Sequence, residues 1–248
     1  MPLLRIFAIL AAAALSGCAS TSNSDLRITD RGTFIPSGRL SVDIAPRGAS
    51  VPQGPSVPHT GHGIEMGISG ASGDDSQTLS AGALPAVFAG RTFTVGDTLR
   101  HEFDWRFAEI AYRYRHFFGG GTFGIEAIGG LAYAEFDLTV ASATQRASEK
   151  LGSGGLVGGF GIIWKFLPTT SLQSRITLFG SGETEDVTAA SRLDVYVAQA
   201  LGRHAAVRAG FSGWGLISER EANDAFGSIN SRIRARFSGV ALGLDLMF

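Results

Sequence analysis

The sequence is poor in cysteine, in charged residues and in long hydrophobic runs. Cys18 is the one cysteine among 248 residues, which excludes a disulfide framework and a cysteine-based metal site. No internal run reaches the roughly 18 apolar residues that a membrane-spanning helix needs. Charged residues make up only 17%, which is low for a soluble surface, and a net charge of −1 without a basic cluster argues against a nucleic-acid partner.

Signatures of catalysis and of cofactor binding are also missing. The five histidines, His59, His62, His101, His116 and His204, are scattered along the chain without metal-ligand spacing. The glycine-rich stretch Gly152–Gly161 is not followed by Lys-Ser/Thr and does not open a helix, so it is no phosphate loop. We therefore expect no enzyme activity, no metal and no cofactor.

The last eighteen residues, Ser231–Phe248, carry the clearest pattern. From Val240 onwards, apolar even-numbered residues alternate with Ala241, Gly243, Asp245 and Met247. A period of two over nine residues predicts a β-strand whose two faces meet different surroundings. The chain stops on an aromatic residue, Phe248. Two interpretations stay open, namely a membrane-facing terminal strand and an ordinary half-buried strand.

The first 59 residues are predicted to form a leader and a tether. Residues 1–17 have the charged start (Arg5) and apolar core (Ile6–Leu15) of a secretory signal peptide. Residues 18–59 are rich in Ser, Thr, Gly and Pro, which disfavours long strands or helices, so we expect a flexible tether with Arg39–Ala45 as its one candidate strand.

Residues 60–248 are predicted to form eight strands. The strands are Thr60–Ser69, Thr98–Phe117, Thr122–Val140, Ala147–Phe166, Ser171–Gly180, Thr188–Leu201, Ala205–Ile217 and Ser231–Phe248. Tight turns (His116–Gly121, Phe166–Thr170, Leu201–His204) alternate with longer polar connections (Gly70–Asp97, Ala141–Arg146, Ser181–Val187, Ser218–Asn230). Such segregation is typical of a barrel crossing a membrane, and an even strand number places both chain ends at the turn end.

Two resemblances sharpen this picture. Leu15-Ser16-Gly17-Cys18 resembles a bacterial lipobox, in which the cysteine is lipidated, and no Asp follows Cys18, as in lipoproteins sorted to the outer membrane. The alternative is a conventional cleavage site with an incidental cysteine. The strand pattern and the terminal aromatic Phe248 resemble the small eight-stranded outer-membrane barrels of the OmpA, OmpX and OmpW type. The resemblance implies an all-β, antiparallel up-and-down barrel in the outer membrane of a Gram-negative bacterium, with Phe248 read by the barrel-assembly machinery.

Charged residues on the faces opposite the apolar ones are expected to line the lumen. They are Glu65, Glu109, Arg113, Glu126, Arg175, Asp194, Arg208 and Asp245, with Lys165 beside them. Because an eight-stranded barrel is just wide enough for side chains to fill it, acids and bases in similar number would pair and plug it. An ion-conducting or catalytic role is the alternative.

The apolar face switches along the long strands. Ala108, Ile110 and Tyr112 are even-numbered, whereas Phe103, Trp105 and Phe107 are odd-numbered. Either a β-bulge restores the apolar face to the outside, or the strands stay regular and the surroundings change above the membrane. The second account predicts an apolar upper interior, which is either a plain core or a pocket for a small hydrophobic ligand. Its members are Phe103, Trp105, Phe107, Phe136, Leu138, Trp214, Ile233 and Phe237.

Arg232, Arg234 and Arg236 lie just above the apolar part of the last strand. On the regular-strand account they point outwards at headgroup height, where outer-membrane lipid and lipopolysaccharide phosphates are available. The alternative is a solvated or internally paired face.

The sequence thus predicts a lipidated outer-membrane barrel with a structural or interaction role at the cell envelope. A narrow conduit or binding barrel for small hydrophobic molecules is the second interpretation. A lipid-modifying enzyme using His101 or His204 with a nearby serine is the third, and a soluble lipocalin-like lipoprotein is the fourth. A continuous lipid-facing belt, an open lumen or an outward His-Ser pair would discriminate among them.

Overall fold

A computed structural model describes residues 24–44, 61–79, 86–94, 96–118, 121–182, 187–202, 204–224 and 227–247. Twelve strands form within these ranges: β1 Ser24–Arg31, β2 Ile35–Ile44, β3 Gly61–Thr78, β4 Ala86–Phe88, β5 Arg91–Phe93, β6 Thr98–Phe118, β7 Phe123–Ala141, β8 Arg146–Leu167, β9 Thr170–Ser181, β10 Val187–Ala200, β11 Ala205–Asp224 and β12 Gly227–Met247. Within the described ranges no helix has the length and apolar character to cross a membrane.

Nine of these strands close into a barrel. Their order around the ring is β12-β11-β10-β9-β8-β7-β6-β3-β2, and β2 pairs back onto β12. Neighbours are antiparallel except at the closing pair, where β2 and β12 run in parallel. The all-β barrel agrees with the sequence prediction. The strand count differs, since a strand forms at each of the eight predicted positions and β2 adds a ninth.

The ninth strand lies in the segment predicted to be a flexible tether, where Arg39–Ala45 was the one candidate strand. β2 overlaps that candidate, but β1 and the start of β2 form where no strand was predicted. β2 shows the period of a barrel strand, with Arg39, Ser41 and Asp43 on the inner face and Leu40, Val42 and Ile44 on the outer face. Pro36 is tolerated because it sits at the second position of β2, before the β2–β3 ladder begins at Ser37. The proline content therefore did not exclude a strand here.

β1 and β2 follow one another along the same edge of β12. β1 pairs with Ser231–Ser238 and β2 with Ala241–Met247, both in parallel. The step between them is made by Gly32, which has φ of 102° and donates its N–H to the Ser238 carbonyl (2.8 Å). Opposite the step, a Cβ at Gly239 would collide with the carbonyl oxygen of Thr33, so β12 approaches closely only because this residue is glycine.

The two ends of the described chain lie at opposite ends of the barrel. We call the end with the connections 119–122, 168–169 and 201–204 the turn end, and the other the loop end. β1 starts at the loop end, because Ser24 pairs with Ser231, whereas β12 finishes at the turn end, where Met247 pairs with Ser41. The prediction that both chain ends lie at the turn end rested on an even number of strands, whereas nine strands close the ring; residues 1–23 and Phe248 themselves lie outside the described residues.

The strands stay regular where the apolar face switches. β6, β7 and β12 keep continuous registers with their antiparallel neighbours through the switch. Among the described pairs, the register shifts lie at Val187/Ala189 and at Lys165/Leu167, away from it. Trp105 is buried and Arg106 exposed, as regular alternation requires. The bulge account is therefore wrong.

At the loop end, the strands are longer than predicted and a hairpin covers the barrel. β3 continues to Thr78, and β11 and β12 pair as far as Asp224 and Gly227, through much of two predicted loops. The hairpin β4–β5 contributes Phe88 and Phe93 to the same apolar core as the barrel interior. Gln145 in the β7–β8 connection donates its Nε2–H to the Thr92 carbonyl (2.7 Å) and holds the hairpin in place.

Candidate functional site

The interior near the turn end, which we call the charged half, is lined by acids and bases. All eight predicted lumen residues, Glu65, Glu109, Arg113, Glu126, Arg175, Asp194, Arg208 and Asp245, are buried there. They come from seven strands and meet because alternate residues of each strand point inwards.

Glu65 is the centre of this network. Its carboxylate accepts hydrogen bonds from Nη1 of Arg113 (3.2 Å) and from Nη1 of Arg175 (2.5 Å), and it forms an ion pair with Nε of Arg39 (3.0 Å). Arg175 also binds Glu126, which in turn accepts from Nε of Arg115 (2.5 Å). One carboxylate shared by three arginines ties four strands together across the lumen.

Two further ion pairs lie in the charged half. Arg208 Nε lies 2.8 Å from Asp245, and Arg192 Nε lies 2.8 Å from Asp194, which also accepts from the Ser212 hydroxyl (2.7 Å). Buried charges are tolerated when each is paired and hydrogen-bonded. Among the eight predicted residues, Glu109 is the one without an ion pair in the described part of the chain. Its Oε2 has no partner within the described part of the chain, and it packs over the bare backbone of Gly67.

Sequence reasoning missed several members of the network. The sequence prediction places Arg39 and Asp43 in the tether. It does not place Arg115 and Arg192 in the lumen, although each of these two arginines lies two residues from a predicted lumen charge. The signal was available in the period of two: Arg39, Ser41 and Asp43 alternate with apolar residues, as Arg113 and Arg115 do.

The interior near the loop end, which we call the aromatic half, is apolar. All eight residues of the predicted apolar interior, Phe103, Trp105, Phe107, Phe136, Leu138, Trp214, Ile233 and Phe237, are buried in one cluster. Ring centroids lie 5.1 Å apart for Trp105–Trp214 and 5.0 Å apart for Phe107–Trp214, which is direct aromatic contact. Arg192 stacks over Trp214 (5.1 Å) where the two halves meet. This interior is filled with side chains, so the plain-core interpretation describes it better than a ligand pocket.

One histidine lies within the aromatic half. His101 is fully buried, and neither ring nitrogen has a hydrogen-bond partner among the described residues. Burial lowers the pKa of His101 below its ordinary value of 6.5, while the nearby Asp75 carboxylate opposes this shift. An inward, neutral imidazole does not match the outward His-Ser pair of the enzyme interpretation. His204 is exposed in the β10–β11 turn.

A belt of exposed apolar side chains surrounds the outer wall over the charged half. Every strand of the ring contributes, and representative members are Val42, Ile64, Ile110, Leu131, Phe160, Ile176, Val195, Phe211 and Leu242. Aromatic residues such as Tyr112, Tyr114, Phe123, Trp164 and Phe166 lie in its part nearest the turn end. We call this surface the apolar belt.

The outer wall over the aromatic half is polar. Arg106 pairs with Asp104 (3.1 Å) and Glu135 (3.2 Å), and Lys150 also reaches Glu135 (2.9 Å). The hydrogen bond from Lys150 to Glu135 raises the pKa of Lys150 above its ordinary value. On the opposite side of the barrel, Arg236 is exposed and Arg234 half-buried, and Arg27 of β1 pairs in register with Arg234. Arg232 lies on β12 in register with Asp25, but its side chain falls outside the described ones.

Two predicted sites, Cys18 and Phe248, lie outside the described residues. Within the described ranges, no group of three or more His, Cys, Asp or Glu side chains is arranged to hold a metal ion. Comparison with protein-family models, curated protein sequences and solved structures found no match.

Proposed function

We propose that this protein is an integral outer-membrane barrel with a closed lumen, which serves as a structural or interaction module of the cell envelope. The observation that carries the proposal is the apolar belt, continuous over all nine strands of the ring. Burying such a surface in water-free surroundings is favourable, and a soluble barrel has no reason to display it on every strand. On β8 the belt runs from Leu156 to Phe166, about the nine to eleven residues that a tilted strand needs to cross a bilayer.

A closed lumen is supported by the contents of both halves. Ion pairs fill the charged half and stacked aromatic rings fill the aromatic half. A conduit for small hydrophobic molecules would need a continuous space past Trp105 and Trp214, whose rings are in contact. We therefore favour a scaffold over a conduit, and expect no steady ion conductance when the purified protein is inserted into a planar bilayer. Stepwise channels of reproducible conductance would favour the conduit.

The aromatic half then stands outside the bilayer and carries the polar wall and the loop end above it. Its charged outer surface is the region available to other envelope components, and Arg234 and Arg236 lie near the level of lipid headgroups. We propose phosphates of outer-membrane lipid and lipopolysaccharide as contacts of these arginines.

Lipidation of Cys18 and recognition of Phe248 by the barrel-assembly machinery are part of the proposal. Cys18 precedes Ser24 by six residues, a span of about 20 Å at most, and β1 starts at the loop end. The acyl chains would thus enter the leaflet at the loop end. Intact mass of membrane-extracted protein should show an acylated chain starting at Cys18, and deletion of Phe248 should lower the yield of inserted barrel without stopping export.

A charge scan along one face of β8 tests the membrane location. Phe160 and Ser148 both point outwards, one in the apolar belt and the other on the polar wall. Phe160→Arg should destabilise the inserted barrel by about 2–4 kcal/mol, as an arginine facing the bilayer interior does, whereas Ser148→Arg should be neutral. The measurement is urea unfolding in lipid vesicles, followed by the electrophoretic mobility difference between folded and unfolded barrel. Equal stability of the two variants, or a folded and soluble Phe160→Arg protein without lipid or detergent, would overturn the membrane assignment.

A further inference from the structure

A small cavity lies inside the barrel at the turn end. Its volume is about 30 Å³, the space of one water molecule or halide ion. Among the described residues, its wall contains four cationic side chains, Arg39, Arg113, Arg115 and Lys165, and a single carboxylate, Asp245. Its wall also includes Ser171, whose hydroxyl accepts a hydrogen bond from Gln173 Nε2 (2.9 Å) and keeps its own proton to donate.

The described part of the charged half has an excess of positive charge. Its cations are Arg39, Arg113, Arg115, Lys165, Arg175, Arg192 and Arg208, and its carboxylates are Asp43, Glu65, Glu109, Glu126, Asp194 and Asp245. Each arginine has a carboxylate within ion-pairing distance. Lys165 has none among the described residues, and its ammonium lies over the ring of Phe117 (4.1 Å). The unmatched charge is therefore located at the cavity wall.

Arg39 supplies a second, independent sign of an anion. Its side chain is only 5% exposed; Nη2 donates to the Tyr196 hydroxyl (2.7 Å), and Nε pairs with Glu65. Nη1 of Arg39 is fully buried and has no acceptor among the described residues. A buried guanidinium N–H without an acceptor is costly, since the lost hydration is not replaced. Arg39 also lines the cavity, and we infer that an anion bound there accepts this hydrogen bond.

We propose that the cavity at the turn end binds one small inorganic anion of halide size. Lys165 supplies the compensating charge, and Nη1 of Arg39 and the hydroxyl of Ser171 donate hydrogen bonds. A cation is disfavoured by the four positive side chains in the wall, and a larger organic anion is disfavoured by the volume. The bound anion completes the pairing of the charged half and ties β2, β8 and β9 together.

Chloride binding can be measured directly on the folded protein in detergent. A site that exchanges chloride with bulk solution broadens the ³⁵Cl resonance, and added bromide should compete the broadening away. The chain contains two lysines, Lys165 in the cavity wall and Lys150 on the polar outer wall. Lys165→Met should weaken chloride binding by about tenfold or more, as expected for loss of a charged hydrogen-bond donor, and Lys150→Met should leave it unchanged. Lys165→Arg should restore most of the affinity.

Two further measurements make the result decisive. The variants are compared only as folded barrels, verified by the mobility difference between heated and unheated samples. Crystals grown with sodium bromide should show an anomalous peak between Lys165 Nζ and Arg39 Nη1. The proposal is overturned if Lys165→Met and Lys150→Met bind chloride equally well. It is also overturned if the wild-type protein does not broaden the ³⁵Cl resonance in a way that added bromide reverses. That result is expected if a carboxylate of the protein itself fills the cavity.

Discussion

The two halves of the barrel are built on the same strands but have opposite polarity. In the charged half, apolar side chains point outwards and ion pairs fill the interior; in the aromatic half, charges point outwards and aromatic rings fill the interior. The strands do not shift register between them. The alternation of side chains stays the same, and only the residue types on each face are exchanged. Whether the inner or the outer face of the wall is apolar at a given height therefore indicates what surrounds the wall at that height.

The halves also differ in what holds them together. The aromatic half gains from burial of large apolar surface, which contributes roughly 25 cal/mol per Å² removed from water. In the charged half, ion pairs add little net stability once the cost of dehydrating the charges is counted. Removing one partner of a pair is nevertheless strongly destabilising, because the other charge stays buried without compensation. The stability of the aromatic half should therefore depend on side-chain volume, and the stability of the charged half should depend on charge.

Replacing Glu65 is expected to have one of the two largest effects on the free energy of unfolding. Glu65→Gln keeps the shape but leaves Arg39, Arg113 and Arg175 facing one another without their shared carboxylate. We expect a loss of about 3–5 kcal/mol in the free energy of unfolding, measured by urea unfolding in vesicles. The matched control is Glu135→Gln, which removes a carboxylate paired with Arg106 and Lys150 on the outer wall and should cost less than about 1 kcal/mol. Similar losses for both variants would show that the charged half is not held by its network.

Truncating Trp105 tests the aromatic half in the same way. Trp105 is 0% exposed and contacts Phe107, Phe136 and Trp214, so Trp105→Ala should create a cavity and cost about 3–5 kcal/mol. Its exposed neighbour supplies the control, and Arg106→Ala should cost less than about 1 kcal/mol. In intact cells, a water-soluble maleimide should modify Arg106→Cys and spare Trp105→Cys. The reverse labelling pattern would contradict regular strands through the switch.

Gly239 lies near the boundary between the halves, where β1 gives way to β2. Gly239→Ala would force the Thr33 carbonyl away from β12 and disturb the parallel closure, at a cost of about 1–3 kcal/mol. Gly154→Ala on β8 is the control, because a Cβ there meets no atom within 4 Å. Amide hydrogen exchange should show faster exchange in β1 and β2 for the first variant alone. Unchanged protection of β1 would indicate that the closure does not depend on this close approach.

His101 gives the smallest expected effect and tests how apolar the aromatic half is. Because burial lowers the pKa of His101 in the folded state, the unfolded chain binds a proton more readily as the pH falls below about 6.5. The free energy of unfolding should therefore fall with pH in that range, by at most about 1.4 kcal/mol per pH unit from this one proton. His101→Leu should remove this part of the slope between pH 7.5 and 5.5. An unchanged slope would mean that the imidazole is hydrated or paired in the folded protein.

Much of the wall could be predicted from the sequence because barrel strands carry a local signal. Alternation over nine residues in Val240–Phe248 and over five residues in Phe103–Phe107 predicts both the strand and the face of each side chain. The lumen charges and the aromatic interior follow from that alternation when the strands are regular.

The partner of the closing strand β2 could not be predicted in the same way, although Arg39–Ala45 is a candidate strand in the sequence. β2 is short, begins beside Pro36 and pairs with β12 from the far end of the chain, and a local pattern carries no information about such a partner. The ion pairs of Glu65 and the cavity beside Lys165 depend on which residues face one another across the lumen. Those contacts follow from the nine-strand ring and its register, which alternation within single strands does not determine.

The parallel closure has a kinetic consequence. Ser24 and Ser231 are partners although they lie more than 200 residues apart along the chain. β1 therefore has no strand to pair with until β12 has been synthesised, and β2, which already pairs with β3, closes the ring only then. The entropy of closing so long a loop must be overcome at this final step. Closure should thus be the slowest event of folding, and until it occurs one edge of β2 and one edge of β12 are available to whatever chaperone accompanies the chain.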